Sequence, residues 1–210
     1  MGKILTLILL IALLPVNVAF AVTPAAKEFI SGNRTKFSTA GHPKSKGINM
    51  ALSYPNSWLA QEGERPNIVQ KFFSEGGRGL EGALIITKKL ELPPGTVMSE
   101  NDLKDFFTPA EMKTMVPPGA KFIQAKPTAI EGIPAGILEF SMRQERAGLT
   151  IDMQFITYSF IYGTTMVQLQ CMVSTGLAGT PPAVLARKMA DFKPIFFLMA
   201  NSIVLQDKWK

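Results

Sequence analysis

Leu138–Val173 reads LEFSMRQERAGLTIDMQFITYSFIYGTTMVQLQCMV, and this stretch decides the fold. Leu138, Phe140 and Met142 alternate with Glu139, Ser141 and Arg143. Leu149, Ile151, Met153 and Phe155 alternate with Thr150, Asp152 and Gln154. Val167, Leu169, Cys171 and Val173 alternate with Gln168, Gln170 and Met172. A period of two is the pattern of a strand that covers one face. Arg146-Ala147-Gly148 and Ile161-Tyr162-Gly163-Thr164 supply turn chemistry between the runs, so the stretch predicts an antiparallel meander.

Upstream, Lys121–Ala129 is β-like and Glu131-Gly132 turns it towards the meander. Before it, Ser99 with Asp102, and Thr108-Pro109-Ala110-Glu111, are capping boxes. They predict two short helices, Glu100–Phe107 and Pro109–Met115. Leu103, Phe106, Phe107, Met112 and Met115 are their expected core contacts. Further up, Ile48–Tyr54, Ile68–Phe73 and Ala83–Leu90 are strand patterns, and Ser74–Gly79 reads as the connection of a hairpin. The glycines of that connection do not make a phosphate cradle, because a strand follows where a helix N-terminus is needed. Downstream, Thr180-Pro181-Pro182 opens a final helix. It carries Val184, Leu185, Met189, Phe192, Phe196 and Met199 at helical spacing, with a kink expected at Pro194.

Strands, helices, strands and a closing helix do not alternate as a doubly wound parallel sheet does. The fold class is α+β, with a single antiparallel sheet of six or seven strands. Leu84 beside Ile85 puts apolar side chains on both faces of one strand, which predicts helices covering both sides of the sheet.

The chain opens with Lys3, the apolar run Ile4–Leu14 and Ala19-Phe20-Ala21, the three parts of a secretory leader. Residues 1–21 are therefore expected to be a signal peptide cleaved near Ala21. Residues 22–46 are expected as a basic N-terminal arm, and 47–210 as the folded domain. The mature chain is expected in the periplasm or outside the cell, with at most peripheral membrane contact. Cys171 is the single cysteine, so this chain holds no internal disulfide and relies on its core. Formal charge is +6, and Lys27, Arg34, Lys36, Lys44 and Lys46 face only Glu28 within the arm. Such an arm suits an envelope protein or an anionic surface. Nucleic acid is not expected, given the export signal.

Candidate chemistry is sparse. His42 is the sole histidine and lies in the basic arm, so nucleophilic catalysis and a histidine-rich metal site have little to build on. Cys171 shares a strand face with Val167, Leu169 and Val173 and reads as a small buried hydrophobe. Met142, Met153, Met166, Met172, Met98, Met112 and Met115 read as core filling. The alternatives are an apolar ligand groove or soft copper ligands. Glu139, Arg143 and Glu145 share one strand face with Asp152 on the next, the pattern of cross-strand ion pairs on a wet face. A carboxylate-based hydrolase is the alternative reading of the same residues. Tyr54 and Trp58 are either an anchor at the end of the first strand or an exposed aromatic rim for a partner.

Ile48–Trp58, ending in Tyr54-Pro55-Asn56-Ser57-Trp58, resembles the opening of the PsbP-like domains. These include the photosystem extrinsic protein PsbP, the DcrB-type bacterial proteins and the Mog family of Ran-binding proteins. Glu131-Gly132-Ile133-Pro134-Ala135 resembles a second recurring element. The closing helix, with Phe192, Phe196 and Asn201-Ser202, is similar to the usual C-terminal helix. The resemblance runs from Lys46 to Leu205 and implies an α-β-α sandwich. It also implies a non-catalytic binding or assembly factor without a cofactor. Tyr54, Trp58 and Arg65, with Lys27, Arg34, Lys36, Lys44 and Lys46, are the expected partner-binding residues. The alternative function is a carrier with a groove lined by Met and Phe side chains.

Overall fold

The computed structural model describes residues 22–209 apart from 94, 147 and 177, so the expected leader lies outside the described residues. Strands β3 (Leu59–Glu62), β4 (Ile68–Phe73), β5 (Gly82–Lys89), β6 (Lys121–Ile130), β7 (Ile133–Arg146), β8 (Leu149–Tyr162) and β9 (Thr165–Ser174) form one antiparallel sheet. Its order is β3-β4-β5-β9-β8-β7-β6. The meander is its centre: Phe140 lies opposite Phe155, Tyr158 opposite Leu169, and Cys171 opposite Ala83.

Both faces of that sheet are used, as the doubly apolar strands predict. Ile137, Ile156, Tyr158, Phe160, Val167, Leu169 and Cys171 belong to the main core. That core lies beneath helix α4 (Pro182–Asn201), whose Met189, Phe196 and Met199 are fully buried. The opposite face carries Leu138, Phe140 and Phe155, together with Ile161. Helices α2 (Glu100–Phe106) and α3 (Pro109–Thr114) pack there, through Phe107 and Met112. Gly136 makes that docking possible. A Cβ at this position would stand 2.2 Å from Met112 Sδ and 2.7 Å from Phe107 Cδ1. Both helix starts follow from their caps: the hydroxyl of Ser99 accepts from the Asp102 amide, and that of Thr108 from the Glu111 amide.

Several expectations need correction. Strand β2 (Met50–Pro55) is not in the large sheet. It pairs with β1 (Arg34–Ser38) on one side and β10 (Val204–Leu205) on the other, making a second, three-stranded sheet. Residues 22–46 are also not a leader outside the body. Helix α1 (Pro24–Ile30) places Ala26 and Phe29 in the main core, β1 adds Phe37, and a 3-10 turn over Pro43–Ser45 buries Ser45. The apolar side chains spaced among the cations provide the physical reason: burying Phe29 alone contributes about 2 kcal/mol. Helix α4 runs unbroken through Pro194. Thr180 does not cap α4. Its hydroxyl meets that of Thr175 at 2.5 Å, and Pro181 takes the cap position without a side-chain bond.

Candidate functional site

The cations expected to bind a partner separate into two groups. Arg34 and Lys36 lie two residues apart on β1, so they share one side of the strand. Their side is exposed, while Phe37 turns to the core. Strand β1 is the free edge of the small sheet. The guanidinium of Arg34 sits 5.1 Å from the centre of the Phe29 ring, which fixes it on the edge. Lys27 is exposed on the neighbouring α1. Among the described residues none of these three is in an ion pair. Glu28, the one nearby acid in sequence, turns its carboxylate to Ser57 and accepts from the amide at 2.9 Å and from the hydroxyl at 2.5 Å.

The remaining expected residues have other positions. Lys44 is structural: its ammonium meets Glu62 at 2.7 Å and donates to the Gly63 carbonyl, while its own carbonyl accepts from Thr87. Lys46 is exposed in the left-handed region at φ 55°, and Arg65 is exposed between β3 and β4. Trp58 is 4% exposed and meets Phe196 edge-on at 6.3 Å, so it is a core anchor and not a surface rim. Tyr54 is half-buried against Phe72, with ring centres 4.7 Å apart.

The carboxylates read as a wet strand face are dispersed. Glu139 is 3% exposed beneath α4, where Lys193 reaches it at 2.9 Å and Gln124 donates to it at 2.6 Å. Sequence predicts that helix but not that it packs over Glu139. Arg143 and Asp152 do pair across strands, through Nε at 2.8 Å and Nη2 at 3.1 Å. The Arg143 bond holds the Asp152 carboxyl below its ordinary range, and the Gly179 and Thr180 amides add to the effect. Glu145 is exposed. The three acids thus occupy three separate environments.

His42 starts the 3-10 turn, where its Nδ1 accepts from the Lys44 amide at 3.2 Å. Cys171 is fully buried, and burial pushes its thiol well above the ordinary 9.0. Such a thiol is inert as a nucleophile. Met142, Met153 and Met172 pack with Phe140 and Phe155, and Met98, Met115 and Met166 pack with Phe107. Among the described residues no group of three His, Cys, Asp or Glu gathers as metal ligands. No described helix is long and apolar enough to cross a membrane.

One groove stands at the end of the large sheet between β6, β7, β8 and the start of α4, with a volume of about 670 Å³. Met142 and Met153 line it but no Phe does, so it matches the groove expected of a carrier only in part. Its floor holds Lys121, Ser141 and Gln154, and its wall holds Pro181, Pro182 and Leu185. Sequence reading missed it. The only signal was the polar row hidden in three otherwise ordinary strands.

No protein-family model matches the chain, and no curated protein sequence matches it. Solved structures do. The solution structure of cyanobacterial PsbP (CyanoP) from Synechocystis sp. PCC 6803 is 13% identical. The match covers 82% of this chain and 92% of that one, with a TM-score of 0.49. The Saccharomyces cerevisiae Ran-binding protein MOG1P is 10% identical, over 84% of this chain and 97% of that one, with a TM-score of 0.48. A Bacteroides thetaiotaomicron protein is 11% identical, over 77% and 46%, with a TM-score of 0.41. The chain is similar in layout to PsbP and to the Ran-binding protein. The architecture itself rests on the strand register of this chain, and the partners of those proteins do not pass to it through layout.

Proposed function

We propose that the protein is an exported, non-catalytic binding or assembly factor of the cell envelope. Its β1 edge, with Arg34 and Lys36 beside Lys27 of α1, engages an acidic protein face or an anionic envelope surface. The observation that carries this reading is the set of exposed cations without ion-pair partners on a strand held by β2, by the buried Phe29 and by the half-buried Phe37. A positive patch on a rigid edge meets its partner with little ordering cost, and charge complementarity chiefly sets the association rate and its salt dependence. The apolar leader run Ile4–Leu14 supports export.

The test is a crosslinking pull-down from the native envelope, with the wild type and with the double variant Arg34→Glu/Lys36→Glu. Wild type captures a partner, and capture fades as salt rises from about 50 to 300 mM. The double variant loses it while keeping its melting temperature. Capture that is indifferent to both salt and charge reversal overturns the proposal.

A further inference from the structure

Strand register places Lys121 opposite Ser141, and Ser141 opposite Gln154. Three polar side chains therefore form one row across β6, β7 and β8. Lys193 reaches Glu139 on the same side of β7, so the row faces α4. Buried polar groups of this kind are ordinarily hydrogen-bonded. The Gln154 side chain is 5% exposed and has no protein partner among the described residues, and its amide keeps its residual exposure to the groove that it lines. The half-buried Ser141 hydroxyl and the exposed Lys121 ammonium also make no bond within the protein among the described residues. The neighbouring Arg143, which also lines the groove, spends Nε and Nη2 on Asp152.

The opposite wall is apolar. Pro181, Pro182 and the buried Leu185 face the polar row across the groove. The wall is also fixed in place. The Thr180 amide donates to Asp152 at 3.1 Å, and Lys188 of α4 binds the buried Glu81 on the far side. A pre-formed cleft of about 670 Å³ is the size of a small-molecule site.

We infer that this groove binds a small organic anion with an apolar body, whose carboxylate or phosphate head lies on the Lys121–Ser141–Gln154 row. Gln154 and Ser141 donate to the head, Lys121 supplies the charge, and the apolar body lies along Pro181, Pro182 and Leu185. This site is separate from the β1 edge and does not depend on it.

The probes are octanoate, octyl phosphate and octan-1-ol, titrated into isotopically labelled full-length mature protein and followed by amide chemical shifts. At least one anion is expected to bind below about 1 mM, with shifts confined to residues 121–123, 141–143, 152–154 and 179–186. The anion that binds tells a carboxylate head from a phosphate head. Lys121→Glu weakens the anion about tenfold and leaves octan-1-ol unchanged. Ala186→Trp, at an exposed position in the groove wall, abolishes binding of all three without loss of fold. Arg34→Glu/Lys36→Glu leaves binding intact, so failure of the β1 edge proposal is told apart from failure of this one. Shifts that fall elsewhere, no binding by either anion, or an alcohol that binds as tightly as the anions would overturn the inference.

Discussion

Lysines of α4 and cations on the β1 edge have the same charge and opposite uses. Under α4, Lys188 binds Glu81 and Lys193 binds Glu139, two carboxylates that are 6% and 3% exposed. Those cations complete the core, because a buried carboxylate without a partner is costly. On the edge, Arg34 and Lys36 stand over solvent, while the side chains that hold their strand, Phe29 and Phe37, point inward. Their charge is therefore free to act on something outside the chain. A tally of charge along the sequence does not separate these two populations. The difference lies in which helix or strand stands opposite each cation.

The comparison breaks most sharply if the segment carrying the edge cations is dispensable to the fold. It is not expected to be. Phe29 is 2% exposed, packs with the main core and supports Arg34. Phe29→Ala is expected to cost about 3–5 kcal/mol in urea unfolding. Removal of residues 22–46 is expected to abolish cooperative unfolding, because β2 loses its partner β1 and the main core loses Ala26, Phe29 and Phe37. A truncated chain that melts like the full one would return these residues to the status of a loose arm.

How much was legible follows the same division. The meander could be read because its two-residue period is long and repeated, and because each strand pairs with the next. Helices α2 and α3 could be read because Ser99, Asp102, Thr108 and Glu111 form local caps that need no tertiary partner. Strand β1 could not. Arg34–Ser38 has a single apolar residue, Phe37, and becomes a strand only because β2 lies alongside. Whether Trp58 was an anchor or a rim stayed open, because Phe196, which covers it, is over a hundred residues away in the chain. Glu139 looked wet for the same reason, since Lys193 arrives from α4. The groove was hidden too, because its existence depends on how far the start of α4 stands from β6 and β7. Periodicity tells which face of an element is covered. It does not tell what covers it.

The α4 side of the comparison is sharpened by acid. Burial raises the Glu81 carboxyl, but hydrogen bonds from Lys188 and Ser74 outweigh it and hold the group below its ordinary 4.5. The unfolded chain then binds a proton before the folded one does as pH falls. The stabilisation is present above about pH 4.5 and is lost as pH drops through the folded value. Glu81→Gln is expected to cost about 1–2 kcal/mol at neutral pH. This is less than a fully buried pair, since the Lys188 side chain is 28% exposed and can turn to water. Below the folded value the variant and wild type converge. A constant difference between them from pH 7 to pH 3 would show that the pair contributes packing and not charge.

The edge side predicts the smallest stability effect. Arg34 and Lys36 have no carboxylate to lose, and β1 keeps its register with β2 whatever their charge. Surface changes of this kind stay within about 0.5 kcal/mol. Two opposing terms keep Arg34→Glu/Lys36→Glu near zero. Losing the Arg34 contact with Phe29 destabilises slightly, and the fall in net positive charge offsets part of that. Thermal melts at low and high salt separate the terms, because salt screens the second and leaves the first. A loss of several kcal/mol would mean that these cations hold the fold together as Lys188 and Lys193 do, and the distinction between the two populations would fail.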